Sequence, residues 1–495
     1  MYLTKTDFIE YLQCSKCLWL KKKRPDLYIA PVPTDFEESK IEEGQEVELL
    51  AHSLFPNGTL VSSELEQSLL ETKRLIDSHT SPIFQATTVS NNNCLARIDI
   101  LRFNADTDKW DIYEVKSSTE VKTDRSHNHI KDVTFQKLVL EQSGVSVDRT
   151  FIVHLNKEYR RAGKLNVKEL LKIHDVSEDV QKAADNTAAE MLEALTLLNK
   201  DQIDLVFCDC LYLTRGNHCS SFGVFNPDVP DYSVHDILRI RPEKIKTIIQ
   251  SGIVKIEDVS DSFKLTDIQN NQVQVARSQK PQIDHDAIKK LLDSLSYPLY
   301  FLDYETYCAA IPILDGYGPY QHIPFQVSIH KLHKDGTLQH YEYLGTSIAD
   351  VPGNLLEYLK GIDCSGGKVV SWHASFENTR NKEMAELNPL HAQMLLDLNA
   401  RTFDLETVFK ESYLHPGFKG GTSIKKVLPA LLPQFSYKDL SIQGGTEAME
   451  NWRKLIFDDL DESQKESIKK ALLDYCCMDT LAMVEIFRHL QAYVS

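Results

Sequence analysis

FLDYETY, residues 301–307, places Asp303 and Glu305 two positions apart in an apolar run. DIYEVK, residues 111–116, does the same with Glu114 and Lys116, and Asp99 lies in the preceding apolar stretch. Strand residues two apart point to one side of a sheet. Each run therefore carries paired charged groups on a single face. Burying two carboxylates without partners is costly, and a divalent cation removes the cost. Asp99 and Glu114 can offer oxygens to a hard cation, with Lys116 stabilising the charge that develops on a phosphorane.

More residues of this kind lie further along. SWHASFE (371–377) ends on Glu377, and in DYCCMD (474–479) Tyr475 and Asp479 are four apart, on one helical face. Asp303, Glu305, Glu377 and Asp479 can thus converge from distant positions around two metals. Gln136, on a helix after the Glu114 strand, can position water or backbone. Cys14 and Cys17 stand near the start, and Cys208, Cys210 and Cys219 bunch much later. GFKGGTSIKK (417–426) offers glycine backbone and a helix start near Thr422 or Ser423, with Lys425 or Lys426 at hand; phosphate binding and a plain helix cap both fit. Asp397 and Asp404 are further acids, the latter equally suited to helix capping.

The elements that position these residues follow from periodicity. Residues 1–20 are predicted as a helix capped by Thr6, and a second helix covers 42–54. Residues 96–103 and 110–116 form a hairpin across NADTDK, followed by a helix at 131–142, a strand at 150–155 and helices at 167–173 and 182–199. Short amphipathic pieces between 231 and 285 read as a small helical connector acting as a bridge. The last region opens with a helix at 285–296 and the strand around Asp303. A hairpin across KDG and a strand at 369–372 come next. Helices follow at 351–359, 376–386, 403–410, 422–431, 464–475 and 478–491. The expectation is α/β: two mixed-sheet domains, 1–225 and 286–495, joined by a connector at 226–285.

A chain of 495 residues is too long for one core. No run approaches eighteen apolar residues, and the N-terminus lacks a secretory layout, so a cytoplasmic protein without membrane contact is expected. The ten cysteines then do not read as a disulfide framework. The net charge of −17 argues against passive coating of nucleic acid, although local basic clusters stand at KKKR (21–24) and RIRPEKIK (239–246).

The set Asp99, Glu114, Lys116 and Gln136 resembles the active site of PD-(D/E)XK nucleases of the RecB-like type. With the helix YLQCSKCLWL and the late cysteines, residues 1–225 resemble the iron–sulfur-bearing members of that group. The resemblance implies a restriction-endonuclease-like fold and a [4Fe–4S] cluster on Cys14, Cys208, Cys210 and Cys219. Structural zinc is the alternative, because four thiolates also suit it, and buried free cysteines are the plain reading. Cys17 is expected as an apolar-packed thiol nearby, and His52 is a further match to that group or a packed histidine.

Residues 298–495 resemble a DEDD-type 3′–5′ exonuclease of the subclass with Tyr-x-x-x-Asp in its last motif, which implies an RNase H-like fold. Asp303 and Glu305 match the first motif. His373 and Glu377 stand in the second where asparagine and aspartate are common, and Tyr475 and Asp479 match the third. The whole chain resembles a bacterial family that carries both parts. The resemblance implies hydrolysis of DNA, with RNA as an alternative substrate, using Mg²⁺ or Mn²⁺ held by Asp99, Glu114, Asp303, Glu305, Glu377 and Asp479. The competing expectation is a nucleic-acid-binding scaffold in which one or both centres are inactive.

Overall fold

The computed structural model describes residues 2–125, 127–362 and 364–494. The chain divides into two compact units. The first comprises 1–211, 216–228 and the stretch 309–321; the second takes 212–215, 229–308 and 322–495. Each is a mixed α/β unit, and the connector falls in the second.

The first unit opens with β1 (Leu3–Thr4) and α1 (Lys5–Gln13). The cap is Thr4, not Thr6: its hydroxyl accepts from the Asp7 amide while the Asp7 carboxylate accepts from the Thr4 amide. Such a reciprocal box satisfies two amides that the first turn leaves open. The expected single helix over 1–20 is broken at Cys14, which is extended (φ −158°), before α2 (Ser15–Lys23) begins.

There follow α3 (Asp35–His52), β2 (Thr59–Leu60), α4 (Leu65–Asp77), β3 (Ile83–Val89), β4 (Cys94–Asn104) and β5 (Lys109–Lys116). Then come α5 (His129–Gln142), β6 (Val147–Leu155), α6 (Val167–Leu170), β7 (Leu171–Asp175), α7 (Ser177–Leu198) and α8 (Phe222–Phe225). The helix expected over 167–173 is only one turn, because residues 171–175 pair antiparallel with β6 as an edge strand. Backbone pairing outweighs weak local helix preference there.

Strand order is β2-β3-β4-β5-β6-β7, with β1 on β4. The β4–β5 hairpin is antiparallel and β5–β6 parallel, so α5 is the crossover that covers the site strand. Ile98, Ile112 and Ile152 pack with Leu75 of α4 and Val133 of α5; Ile100, Tyr113 and Val153 pack with Val47 and Ala51 of α3. The sheet is thus sandwiched between helices.

In the second unit α9 (Pro242–Gln250) and α10 (Asp267–Ser278) build the connector around Ile245, Ile248 and Val273. Next are β8 (Gln282–Ile283), α11 (His285–Asp293), β9 (Leu299–Tyr307), β10 (Ile323–Leu332), β11 (Leu338–Leu344), α12 (Gly353–Gly361) and β12 (Lys368–Ser371). They are followed by α13 (Ser375–Leu387), α14 (Ala392–Ala400), β13 (Thr402–Asp404), α15 (Glu406–Glu411) and β14 (Tyr413–Leu414). The chain ends with α16 (Ile424–Leu431), α17 (Gly445–Phe457) and α18 (Glu462–Val494).

The sheet order is β11-β10-β9-β12-β13, antiparallel through the first three and parallel from β9 outward. Two expectations change. Residues 403–410 divide into β13 and α15, because β13 pairs with β12. The two expected C-terminal helices are one, since 476–478 contain neither Gly nor Pro to interrupt it. Among the described residues no helix is long and apolar enough to cross a membrane.

Candidate metal and active centres

In the first unit, Asp99 on β4 meets Glu114 and Lys116 on β5. The Asp99 carboxylate accepts from the Val115 amide at 2.8 Å. Glu114, 1% exposed, is surrounded by donors. Lys116 Nζ and Lys5 Nζ each lie 2.7 Å from its Oε1, and Gln136 Nε2 donates to Oε2 at 2.7 Å. Asp132, one turn before Gln136, binds Lys116 and stands 3.4 Å from Lys5.

Burial alone would raise the Glu114 carboxyl, but Lys116 and Lys5 outweigh it and hold the group well below the usual range. Asp99 goes the other way: burial, then the Glu114 charge, pushes it up. Burial would lower Lys5, but Asp132 and Glu114 raise it well above its ordinary value. Gln136 Nε2 holds Glu114 and also reaches Asp132 at 3.2 Å, while its Oε1 is buried without a partner.

Lys5, Glu48 and Asp132 are site residues that sequence reasoning missed. Glu48 of α3 is bonded by Gln85, whose amide also reaches Asp99 at 3.4 Å. His52, one turn on, stacks on Phe84 with centroids 3.9 Å apart, as a packed ring. The KKKR cluster is largely spent at home: Lys21 pairs with Glu10 and Asp7, and Lys22 with Asp7.

The four expected thiols meet. Sulfurs of Cys14, Cys208, Cys210 and Cys219 lie within 4.8 Å of one another. The break between α1 and α2 turns Cys14 toward the loop after α7, where Asp209–Tyr212 forms one 3₁₀ turn around Cys210. Such a buried quartet can hold a metal ion, since it offers the tetrathiolate shell of zinc or iron–sulfur sites. Cys17 is nearby but not apolar-packed: its sulfur lies 3.7 Å from the Ser220 hydroxyl, and a hydrogen bond with Cys219 helps lower it to about 7.

In the second unit, Asp303 and Glu305 project from β9 beside Tyr475 and Asp479 of α18, lining a cleft of about 480 Å³. Polar bolts fix α18 on β10. Gln326 donates to the Leu472 carbonyl at 2.8 Å, and Ser328 and His330 bond the Thr480 hydroxyl at 2.7 and 2.8 Å. Thr480 follows Asp479, so this register sets the acid's height over the sheet. Glu377, in the first turn of α13, is hydrogen-bonded to Asp303, and its Oε2 is buried without a partner. The Cys476 sulfur sits 3.9 Å from Asp303.

Burial, then repulsion from Asp479, pushes Asp303 well above the usual carboxylate range. Burial with the same neighbour does this to Glu305, and burial lifts Glu377 to about 7. Asp479 is also raised by burial, against hydrogen bonds from Tyr437 and Tyr475 and the charge of Lys425. The Tyr437 hydroxyl donates to Asp479 at 2.6 Å, and Lys425 Nζ lies 3.0 Å from the Tyr475 oxygen. Tyr437 was not singled out in the sequence; between Lys425 and Asp479 it lies in a loop without periodicity.

His373 (φ 60°) stands on the cleft rim, its amide donating to Asp404 and its ring to Glu406. Asp404 also accepts from the Glu406 amide, which is a capping role. Asp397 is exposed and bonded to Gln393.

A family model described as a domain of unknown function (DUF2779) matches residues 300–423. The match covers the strand of Asp303 and Glu305, and Glu377, and ends before Tyr475 and Asp479. Comparison with curated proteins finds no match.

Proposed function

We propose that the chain is a metal-dependent nuclease. Its second unit is read as an RNase H-like, DEDD-type 3′–5′ exonuclease domain, and its first as a restriction-endonuclease-like, RecB-type nuclease domain. DNA is the expected substrate, with RNA an alternative for the second centre. The observation that carries the reading is the meeting of Asp303, Glu305, Glu377 and Asp479 in one buried site beside Tyr475, from three elements up to 176 positions apart in sequence. Coarser metal binding is supported by Asp303 and Glu305, which with the Cys476 sulfur lie close enough together to hold an ion.

The donor set fits Mg²⁺ or Mn²⁺: hard oxygens, a buried Glu377 oxygen without a partner, and four acids faced only by Lys425, near Glu305 and Asp479, and Arg380, near Glu377. When bound, such ions lower the pKa of water and polarise the phosphodiester. The chain itself does the rest. The four carboxylates would hold the ions, and Tyr475, tied to Lys425 and Asp479, would orient the attacking water. Trp372 and Phe376 wall the cleft against bulk solvent. In the first unit Asp99 and Glu114 supply oxygens, and Lys116 and Lys5 supply positive charge for the phosphorane.

For the thiols, the four converging sulfurs are read as the shell of a [4Fe–4S] cluster, with a structural zinc ion as the alternative that the same shell suits. Iron, sulfide and zinc analysis of anaerobically purified protein separates the two.

A second reading, a binding scaffold with a silent first centre, is favoured by one observation: Glu114 is already matched by two lysines and Gln136. The deciding experiment offers end-labelled DNA and RNA with Mg²⁺ or Mn²⁺ to the wild type, Glu114→Ala and Asp303→Ala. Wild type that leaves every substrate intact overturns the nuclease reading.

A further inference from the structure

The connector does more than bridge. Gln272 of α10 donates to the Asp236 carbonyl at 2.9 Å and presses against Gly420, where a Cβ would stand 2.2 Å from its Nε2. Gly420 has φ +74°, so both space and backbone call for glycine there. Between this docked connector and α15–α16 runs a groove of about 860 Å³. Five lysines and arginines line it, Arg239, Arg241, Lys244, Lys264 and Lys410, against one carboxylate, Glu411. Lys410 is paired with Glu406. The other four have no carboxylate within 4 Å among the described residues, in a chain of net charge −17.

Half-buried rings of Tyr232 and His415 line the groove, and a buried aromatic row leads from it to the acidic cleft. Phe418 packs edge-on against Phe409, and Phe409 stacks on Trp372 at 5.4 Å. Trp372 lines the acidic cleft and donates to the Thr422 carbonyl; Thr422 lines both cavities. Basic groups beside aromatic faces suit single-stranded nucleic acid, whose backbone takes the charge and whose bases stack.

Building on the exonuclease reading, we propose that this groove binds a single strand just upstream of the 3′ end held in the acidic cleft. The RIRPEKIK cluster, which supplies Arg239, Arg241 and Lys244, is then a substrate contact. A duplex is the excluded alternative, because its bases offer no free faces to the groove.

The test measures binding of fluorescein-labelled oligo(dT) of three and twelve nucleotides to the full chain with no Mg²⁺ or Mn²⁺ added, where no cleavage is needed. The longer strand is expected to bind at least tenfold more tightly. Arg239→Ala/Arg241→Ala should remove most of that gain and flatten the slope of log K against log salt by about 1.4, about 0.7 per lost contact. Lys264→Ala, on a separate segment, should flatten it by about 0.7. All three side chains are exposed, so unchanged unfolding temperatures are expected. Equal affinity for the two lengths, or unchanged slopes in both variants, overturns the groove assignment. So does a twelve-base-pair duplex that competes equally well. Length-dependent binding lost in the variants, without cleavage of any end-labelled strand in Mn²⁺, upholds the groove and fells the nuclease reading instead.

Discussion

The two acidic centres solve the same electrostatic problem in opposite ways. In the first, Glu114 and Asp132 are matched by Lys5 and Lys116, cations that the fold itself brings in. In the second, Asp303, Glu305, Glu377 and Asp479 share a cleft with Lys425, and burial raises all four carboxyls. In one centre two acids are neutralised from within, while Asp99 beside them is still pushed up by burial and by Glu114. The other is a high-energy arrangement that protons or divalent ions must relieve. A charge census of the chain would not separate them; the placement of two lysines does.

The sharpest way to break the comparison is Asp303→Asn. If the second centre depends on metal charge, 3′-end hydrolysis should fall by about a thousandfold or more, given several kcal/mol of transition-state stabilisation. Cleavage assigned to the first centre should survive. Next in size is divalent-ion stabilisation. Mn²⁺ at a hundred times its dissociation constant should add about 2.7 kcal/mol to unfolding of the second unit, read by calorimetry.

That stabilisation should depend on pH with a definite sign. The raised carboxyls keep protons in the folded state that the unfolded chain releases. Without metal, stability is therefore greatest below the ordinary carboxylate range, about pH 4, and falls as pH rises toward the shifted values, about 7 for Glu377. Melting temperature in EDTA should decline over that window, and the Mn²⁺ gain should grow. A flat profile would mean that the acids do not repel as their burial implies.

On the lysine side, Lys5→Ala should destabilise the first unit by about 1–2 kcal/mol, less than the loss of a sole partner, because Lys116 and Gln136 still hold Glu114. Denaturant unfolding measures it. The smallest effect is expected from Tyr475→Phe: about tenfold in turnover through water placement, with Mn²⁺ affinity by titration calorimetry unchanged.

Much of each centre is legible where local periodicity acts. Two-residue spacing on β5 and β9 fixes which charged groups share a face, and four-residue spacing on α18 aligns Tyr475 with Asp479. The late cysteine triplet and Cys14 are legible by clustering. What escapes is set by tertiary contact alone. Lys5 reaches Glu114 across 109 positions, Glu48 reaches Asp99 through Gln85, and Tyr437 reaches Asp479 from a loop. The element errors have the same origin. β7 and β13 form because a neighbouring strand offers hydrogen bonds, and Cys14 interrupts a helix because its side chain has a destination elsewhere.

The nine residues of α1 carry a consequence of their own. The helix begins at Lys5, on Glu114, and ends beside Cys14, in the sulfur quartet. At 1.5 Å per residue it is a stiff rod about 13 Å long, with the lysine that meets Glu114 at one tip and a thiol of the quartet at the other. Whatever loosens the thiolates, whether chelation or oxidation, also frees the rod that holds the lysine in place. The state of the four thiols and the charge around Glu114 are thereby mechanically joined.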